Sequence, residues 1–179
     1  MMETVAERTP AASSVGDRAR LIEAARVAAA SVVDPEIPTI SIADLGVLRD
    51  VRLGTDGVVE IDITPTYSGC PAMRMIALEV EAAVERAGLG RPRVNLVLSP
   101  AWTTDWITPA GHAALLAAGI APPPPAASRR ALFGDDVPVA CPHCGSRETG
   151  LISEFGSTPC KALRRCLACG EPFHAFKCL

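Results

Sequence analysis

An α+β fold, a small two-layer α/β domain followed by a C-terminal zinc ribbon, is predicted by three features of the sequence. Two helical stripes of apolar residues flank a strand–turn–strand pattern. Further on, Val94, Leu96 and Leu98 supply one more strand and Thr108-Pro109 one more helix start before a run of four consecutive prolines within residues 121–128. Beyond the prolines stand two matched knuckles, Cys141-Pro142-His143-Cys144-Gly145 and Cys166-Leu167-Ala168-Cys169-Gly170, with 21 residues between Cys144 and Cys166.

Residues 1–16 mix Glu3 and Glu7 with Ala, Ser and Pro and lack the apolar core of a signal peptide, so they read as a disordered tail. From Asp17 to about Val33 the positions Leu21, Ala25, Ala28, Ala29 and Val32 recur at helical spacing, with Asp17 suited to cap the start. Asp34-Pro35-Glu36-Ile37-Pro38 ends this helix, because two prolines forbid regular helix and drive their predecessors to extended geometry. Val47–Leu53 and Val58–Ile63 flank Gly54-Thr55-Asp56-Gly57 and predict a β-hairpin. In its second arm Val59, Ile61 and Ile63 alternate with polar residues, so one face is buried and one is wet.

After the loop Pro65-Thr66-Tyr67-Ser68-Gly69-Cys70, a second stripe of Met73, Ile76, Ala77, Val80, Val84 and Ala87 predicts a helix closed by Gly88. Val94, Leu96 and Leu98 predict a third strand. Thr108-Pro109 opens a last helix running to about Ala118, with proline in the tolerated first turn. The expected organisation is a tail at 1–16, a domain at 17–120, a stiff proline-rich linker at 121–137 and a ribbon at 138–179.

Composition narrows the function classes. The chain is 49% hydrophobic and 21% charged, and no apolar run approaches bilayer length, which predicts a cytoplasmic protein without a membrane anchor. In that reducing setting, clustered cysteines are metal ligands before they are disulfides. Residues 1–137 hold 12 Lys and Arg against 17 Asp and Glu, and residues 138–179 hold 5 against 3. So slight an excess on the ribbon argues against nucleic acid as a partner and favours docking to protein.

Six of the seven cysteines lie after residue 140. Cys141, Cys144, Cys166 and Cys169 present four thiolates from two tight turns, matching the tetrahedral preference of structural zinc, although four thiolates also accept iron. They complete the ion's coordination, so His143 and His174 are peripheral. Cys160 and Cys178 belong to neither knuckle. They are spare thiols, parts of another metal site, or a second reactive pair, and Lys161 and Lys177 beside them favour thiolate.

Cys70 is the principal thiol outside the ribbon. At a helix start, free amides and the positive dipole end would lower its pKa and suit it to metal binding or thiol exchange. The alternative is a small buried residue. Asp34, Glu36 and Asp44 are read first as turn and cap residues that could also place carboxylates near the Cys70 loop. Trp102 and Trp106 are read as packing across the last helix, or as marking a partner surface if exposed.

Together, Asp34-Pro35-Glu36-Ile37-Pro38, Asp44-Leu45-Gly46-Val47, the Thr64–Pro71 loop and the tryptophan segment resemble the small iron–sulfur assembly domain family that includes SufT-like proteins. With the ribbon, and with Phe155-Gly156-Ser157-Thr158, Cys160-Lys161-Ala162-Leu163 and Phe176-Lys177-Cys178, the chain is similar to the PaaD family of phenylacetate degradation. The resemblance implies an accessory, non-catalytic role beside a ring-epoxidising phenylacetyl-CoA epoxidase, with its oxygenase and reductase components as partners. Epoxidation itself would belong to a di-iron subunit, and the paired Glu-x-x-His helices that such a centre needs are not in this sequence. The resemblance further implies that Cys70 is the functional thiol, holding iron or an iron–sulfur cluster transiently with a second copy's Cys70 in a homodimer, or with Cys160 and Cys178. Cys141, Cys144, Cys166 and Cys169 would be the ribbon ligands. The alternative is a structural adaptor that docks oxygenase components through the ribbon.

Overall fold

The computed structural model describes residues 15–124 and 139–177, so the expected N-terminal tail, most of the proline-rich linker and Cys178 fall outside the described residues. Helix α1 spans Val15–Ala30, starting two residues before the expected cap. Asp17 therefore sits inside the first turn, where its carboxylate meets Arg20 at 3.0 Å. Ala25 and Ala29 are fully buried on its inner face, and their small side chains let the helix lie close on its neighbours.

Strands β1 (Val33–Asp34) and β2 (Ile37–Ser41) form an antiparallel pair around the turn at Pro35-Glu36. The prolines produce the extended geometry expected of them, but the sequence does not announce the pairing itself, because Pro38 carries no amide to signal a ladder. A three-stranded sheet follows in the order β3-β4-β5, from β3 (Leu48–Leu53), β4 (Val59–Ile63) and β5 (Arg93–Leu96). The hairpin β3–β4 is antiparallel, whereas β5 runs parallel to β4 and is reached through α2 (Met73–Arg86).

Along β4, Val59, Ile61 and Ile63 are buried and Glu60 and Asp62 are half-buried, as the alternation requires. The wet face carries a ladder of ion pairs in which Arg52 binds Glu60 and Asp62, and Arg93 binds Asp56 at 2.9 Å. Helix α2 turns Met73, Ile76, Val80, Ala83 and Val84 inward, and Gly88, two residues past its end, turns the chain away at a φ of 74°. Helices α1 and α2 pack on each other, and with the sheet they enclose one core.

Gly46 is required where it stands. Its φ is 74°, and a Cβ there would lie 2.7 Å from Trp106 Cβ. That close approach brings the Asp44–Val47 segment under the tryptophan loop. There the buried Trp102 indole donates from Nε1 to Leu45 O at 2.9 Å, and the Arg49 guanidinium lies 3.4 Å from the centroid of the half-buried Trp106 ring. Helix α3 (Pro109–Ala117) follows a 3₁₀ turn at Thr104–Trp106 and is capped by Thr108, which accepts from Gly111 N at 3.0 Å.

Strand β6 (Ile120–Ala121), an unexpected element at the boundary set between domain and linker, pairs in parallel with β9 (Pro172–Phe176). It thereby becomes the fourth strand of the ribbon sheet, ordered β6-β9-β8-β7, with β7 at Thr149–Ser153 and β8 at Lys161–Cys166. Phe176 and Cys160 belong to the main hydrophobic core, and the Phe176 ring lies 5.9 Å from Trp102. A smaller core of Ala121, Val139, Cys141, Cys166, Phe173 and Ala175 fills the ribbon. No helix among the described residues is long and apolar enough to cross a membrane.

Candidate functional site

Two knuckles build the metal centre. In the first, Gly145 N donates to Cys141 O at 2.9 Å and Cys141 N to Ser146 O at 2.9 Å. The second repeats this pattern, with Gly170 N on Cys166 O at 3.0 Å and Cys166 N on Glu171 O at 2.9 Å. Both glycines sit at positive φ, 77° and 82°, where a Cβ would be strained.

The ligand sulfurs of Cys141, Cys144, Cys166 and Cys169 all lie within 4.8 Å of one another, with Cys141 to Cys169 at 3.8 Å and Cys144 to Cys166 at 3.5 Å. Zinc–sulfur bonds of about 2.3 Å in a tetrahedron place sulfurs about 3.8 Å apart, so the quartet fits such an ion. Its electrostatics agree. The Cys169 amide, above all, holds the Cys166 thiol down to about 6. The Glu171 amide acts to lower Cys169, but the neighbouring thiols and burial together push it up to about 12. Four adjacent sulfurs cannot all ionise without a cation between them. His143 and His174 lie outside the quartet.

The second site lies where the ribbon meets the domain. Cys70 is half-buried in the loop between β4 and α2, and its amide donates to Tyr67 O at 3.1 Å. The expected lowering of its pKa does not occur. Burial pushes the Cys70 thiol up, the Ala72 amide opposes, and Glu36, Asp34 and Cys160 push it further in the same direction. Helix α2 begins only at Met73, so the dipole end lies beyond Cys70 while two carboxylates face it.

Asp34 is buried, and its Oδ1 accepts from the amides of Glu36 at 2.8 Å and Ile37 at 3.0 Å. It is a turn residue whose charge also reaches Cys70 and Cys160. Asp44 is structural, accepting from Ser41 Oγ at 2.7 Å and Thr108 Oγ1 at 2.6 Å. Glu36 reaches across to the ribbon, with Oε2 3.9 Å from Cys160 Sγ. Cys160 is buried and lies 3.0 Å from Thr158 Oγ1. Burial raises its pKa and so do Glu36 and Asp34, against the pull of Thr158 and Lys161, so the neighbouring lysine does not deliver the expected thiolate.

The Tyr67 hydroxyl is buried without a partner of hydrogen-bond geometry. Burial, then the charges of Cys70, Glu36 and Cys160, push it up to about 12. A cleft of about 320 Å³, lined by Thr64, Pro65, Tyr67, Ser68, Leu98 and Trp102, opens beside the loop. The approach of Glu36 to Cys160 spans 124 positions, and no local pattern announces it. The one available signal is that Cys160 is surplus to a four-sulfur centre.

Comparisons with known proteins agree with both halves of the chain. Residues 22–96 match the family described as iron-sulfur cluster assembly protein, and residues 125–177 match the PaaD zinc beta ribbon domain. A protein of Escherichia coli (strain K12), described as a putative subunit of 1,2-phenylacetyl-CoA epoxidase, is 47% identical over 148 residues, spanning 83% of this chain and 87% of that one. A Porphyromonas gingivalis protein described as an Fe-S protein maturation auxiliary factor is 35% identical over 79 residues, 44% of this chain and 74% of its own. Among solved structures, a domain of unknown function, DUF59, from Bacillus anthracis aligns with a TM-score of 0.52 at 23% identity, covering 57% of this chain and 97% of that one, a likeness of fold.

Proposed function

This chain belongs to the PaaD family, and from that premise we propose that it is a non-catalytic accessory component of a phenylacetyl-CoA epoxidase system that assists assembly of an iron–sulfur or di-iron centre. The observation that carries this reading is the division of the thiols. Four are gathered in the ribbon quartet, while Cys70 stands apart under the charges of Glu36 and Asp34, in the loop whose Tyr67 and Ser68 line an open cleft.

The ribbon residues Cys141, Cys144, Cys166 and Cys169 would hold zinc, which supplies structure by joining two knuckles too small to fold alone. Cys70 would hold the iron cargo. Its thiol, kept protonated by burial and by nearby carboxylates, ionises when a soft cation arrives and recovers its proton when the cation leaves. Such a ligand binds and releases, as a carrier must. The ribbon would recognise the client, for which it offers exposed apolar residues on its edge strand, Leu151 and Ile152, with Phe155 beyond. The same surface favours the second reading, a structural adaptor between oxygenase and reductase components in the cytoplasm.

Metal analysis separates the two. Epoxidase components produced without this chain should be deficient in iron or cluster, and adding it to matured components should leave their rate unchanged. Components that are fully metallated without it, yet need it stoichiometrically for turnover, would establish the adaptor instead.

A further inference from the structure

Cys70 and Cys160 come from different units of the chain and share one set of neighbours. Cys160 Sγ lies 3.9 Å from Glu36 Oε2, Cys70 packs against the core that contains Cys160, and each feels the charge of Glu36 and Asp34. The Tyr67 hydroxyl oxygen, buried without a partner of hydrogen-bond geometry, feels Cys70, Glu36 and Cys160 as well. Lys161, also buried, supplies positive charge to Asp34 and Cys160. Two thiols and two carboxylates gathered in a half-dry pocket are costly as anions unless a cation joins them.

We infer that Cys70, Cys160 and Glu36 form a second metal site, at the seam of domain and ribbon, that takes one divalent ion of the iron(II) class. The inference rests on the maturation reading and deepens it: the second thiol for Cys70 comes from the same chain's ribbon, not from another copy. Two thiolates and a carboxylate form a borderline-soft donor set suited to iron(II), cobalt(II) or zinc, with a fourth position left for water or a client ligand. On binding, each thiol surrenders its proton to solvent, so two protons leave per ion. The resulting M(S)₂(O₂C) unit carries one net negative charge, opposed by Lys161.

The two sites differ in preorganisation. Among the described residues the ribbon quartet is the one set of three or more His, Cys, Asp and Glu ligand atoms that all lie within 4.8 Å of one another. The Cys70, Cys160 and Glu36 set is therefore open, and filling it requires the loop bearing Cys70 to close toward the ribbon. The Cys70 backbone is held there by a bond to Tyr67 O at 3.1 Å and by a long one from Met73 N at 3.5 Å. An ion that must draw in its own ligand is held less tightly than one entering a formed cage. The quartet keeps its metal and the open set passes its metal on.

The test is anaerobic titration of the full zinc-loaded chain with cobalt(II), read by thiolate-to-cobalt absorption, with zinc content measured before and after. Wild type should take up one further equivalent while retaining its zinc. Cys70→Ser and Cys160→Ala should each lose that equivalent with zinc unchanged, and Glu36→Gln should weaken it by at least about tenfold. Retained zinc and an unchanged circular dichroism spectrum certify folding, and Cys160→Ser replaces Cys160→Ala if the latter fails that check. No second equivalent in wild type, or one that survives in a folded Cys160 variant, would overturn the site. Client iron content in cells then separates this inference from its premise. Loss in Cys70→Ser with full loading in Cys160→Ala refutes the composite site alone, and full loading in both refutes the maturation role as well.

Discussion

If the ribbon is docked on the domain, Trp102 and Phe176 are energetically coupled, and a double-mutant cycle of Trp102→Leu and Phe176→Leu measures that coupling. Both side chains are about 5% exposed or less and their ring centroids lie 5.9 Å apart at 52°. Trp102→Leu removes the donor to Leu45 O, stranding a buried carbonyl at a cost of about 1–3 kcal/mol before any packing loss. Phe176→Leu keeps apolar bulk and costs about 0.5–3 kcal/mol, the range of ordinary core substitutions. The tilted aromatic pair itself is worth about 0.5–1.5 kcal/mol, so the double variant should be less destabilised than the sum of the singles by that amount. The assay is denaturant unfolding of zinc-saturated protein followed by far-ultraviolet circular dichroism. Additivity to within about 0.3 kcal/mol would mean that the two rings do not touch in solution, and the placement of Cys160 beside Glu36 would fall with them.

Chelating the ribbon metal should strip amide protection from residues 139–177 and loosen Trp102 through Phe176, while α1 and β4 keep their protection; Cys144→Ser should reproduce the chelated state, and unchanged exchange after chelation would refute a structural metal. Gly111→Ala should lower the melting temperature by several degrees, because the new Cβ would lie 2.6 Å from Asp44 O and 2.9 Å from Ile107 Cγ2; an unchanged melting temperature would show that α3 stands further from the Asp44 loop. Burial raises the Asp34 carboxyl above its ordinary value of 3.8, so the folded state binds a proton more readily than the unfolded chain does. The stability tied to that proton is present in full below pH 3.8 and lost as pH rises through the folded pKa. Asp34→Asn, which keeps an acceptor for the two turn amides, should therefore melt higher than wild type at pH 7, with the advantage shrinking toward pH 4. An advantage independent of pH would refute this account.

Helices α2 and α3 and the hairpin are legible almost to the residue, because each is specified locally: an apolar stripe ending at Gly88, a Thr-Pro cap, and alternation about a Gly-rich turn. The quartet is legible for the same reason, its spacing being set inside two five-residue turns. What the sequence hides is what depends on distant pairing. Ile120–Ala121 is too short to show a strand period, and its partner lies more than fifty positions away. The Cys70 environment is misjudged through the same omission. Its helix start is in plain view, but the carboxylates and the second thiol that reverse the expected pKa shift arrive from the proline turn and the ribbon.

The parallel pairing of β6 with β9 bears on how this protein can be divided or recombined. The prolines look like the natural place to cut, yet cutting there leaves Ile120–Ala121 on one fragment and the edge of β9 on the other, each with a bared ladder. Neither fragment inherits a finished boundary. A ribbon transplanted from another protein would bring its own edge and no complement for Trp102, so domain and ribbon are bound to change together, and exchange between relatives should succeed only when both halves travel as one cassette.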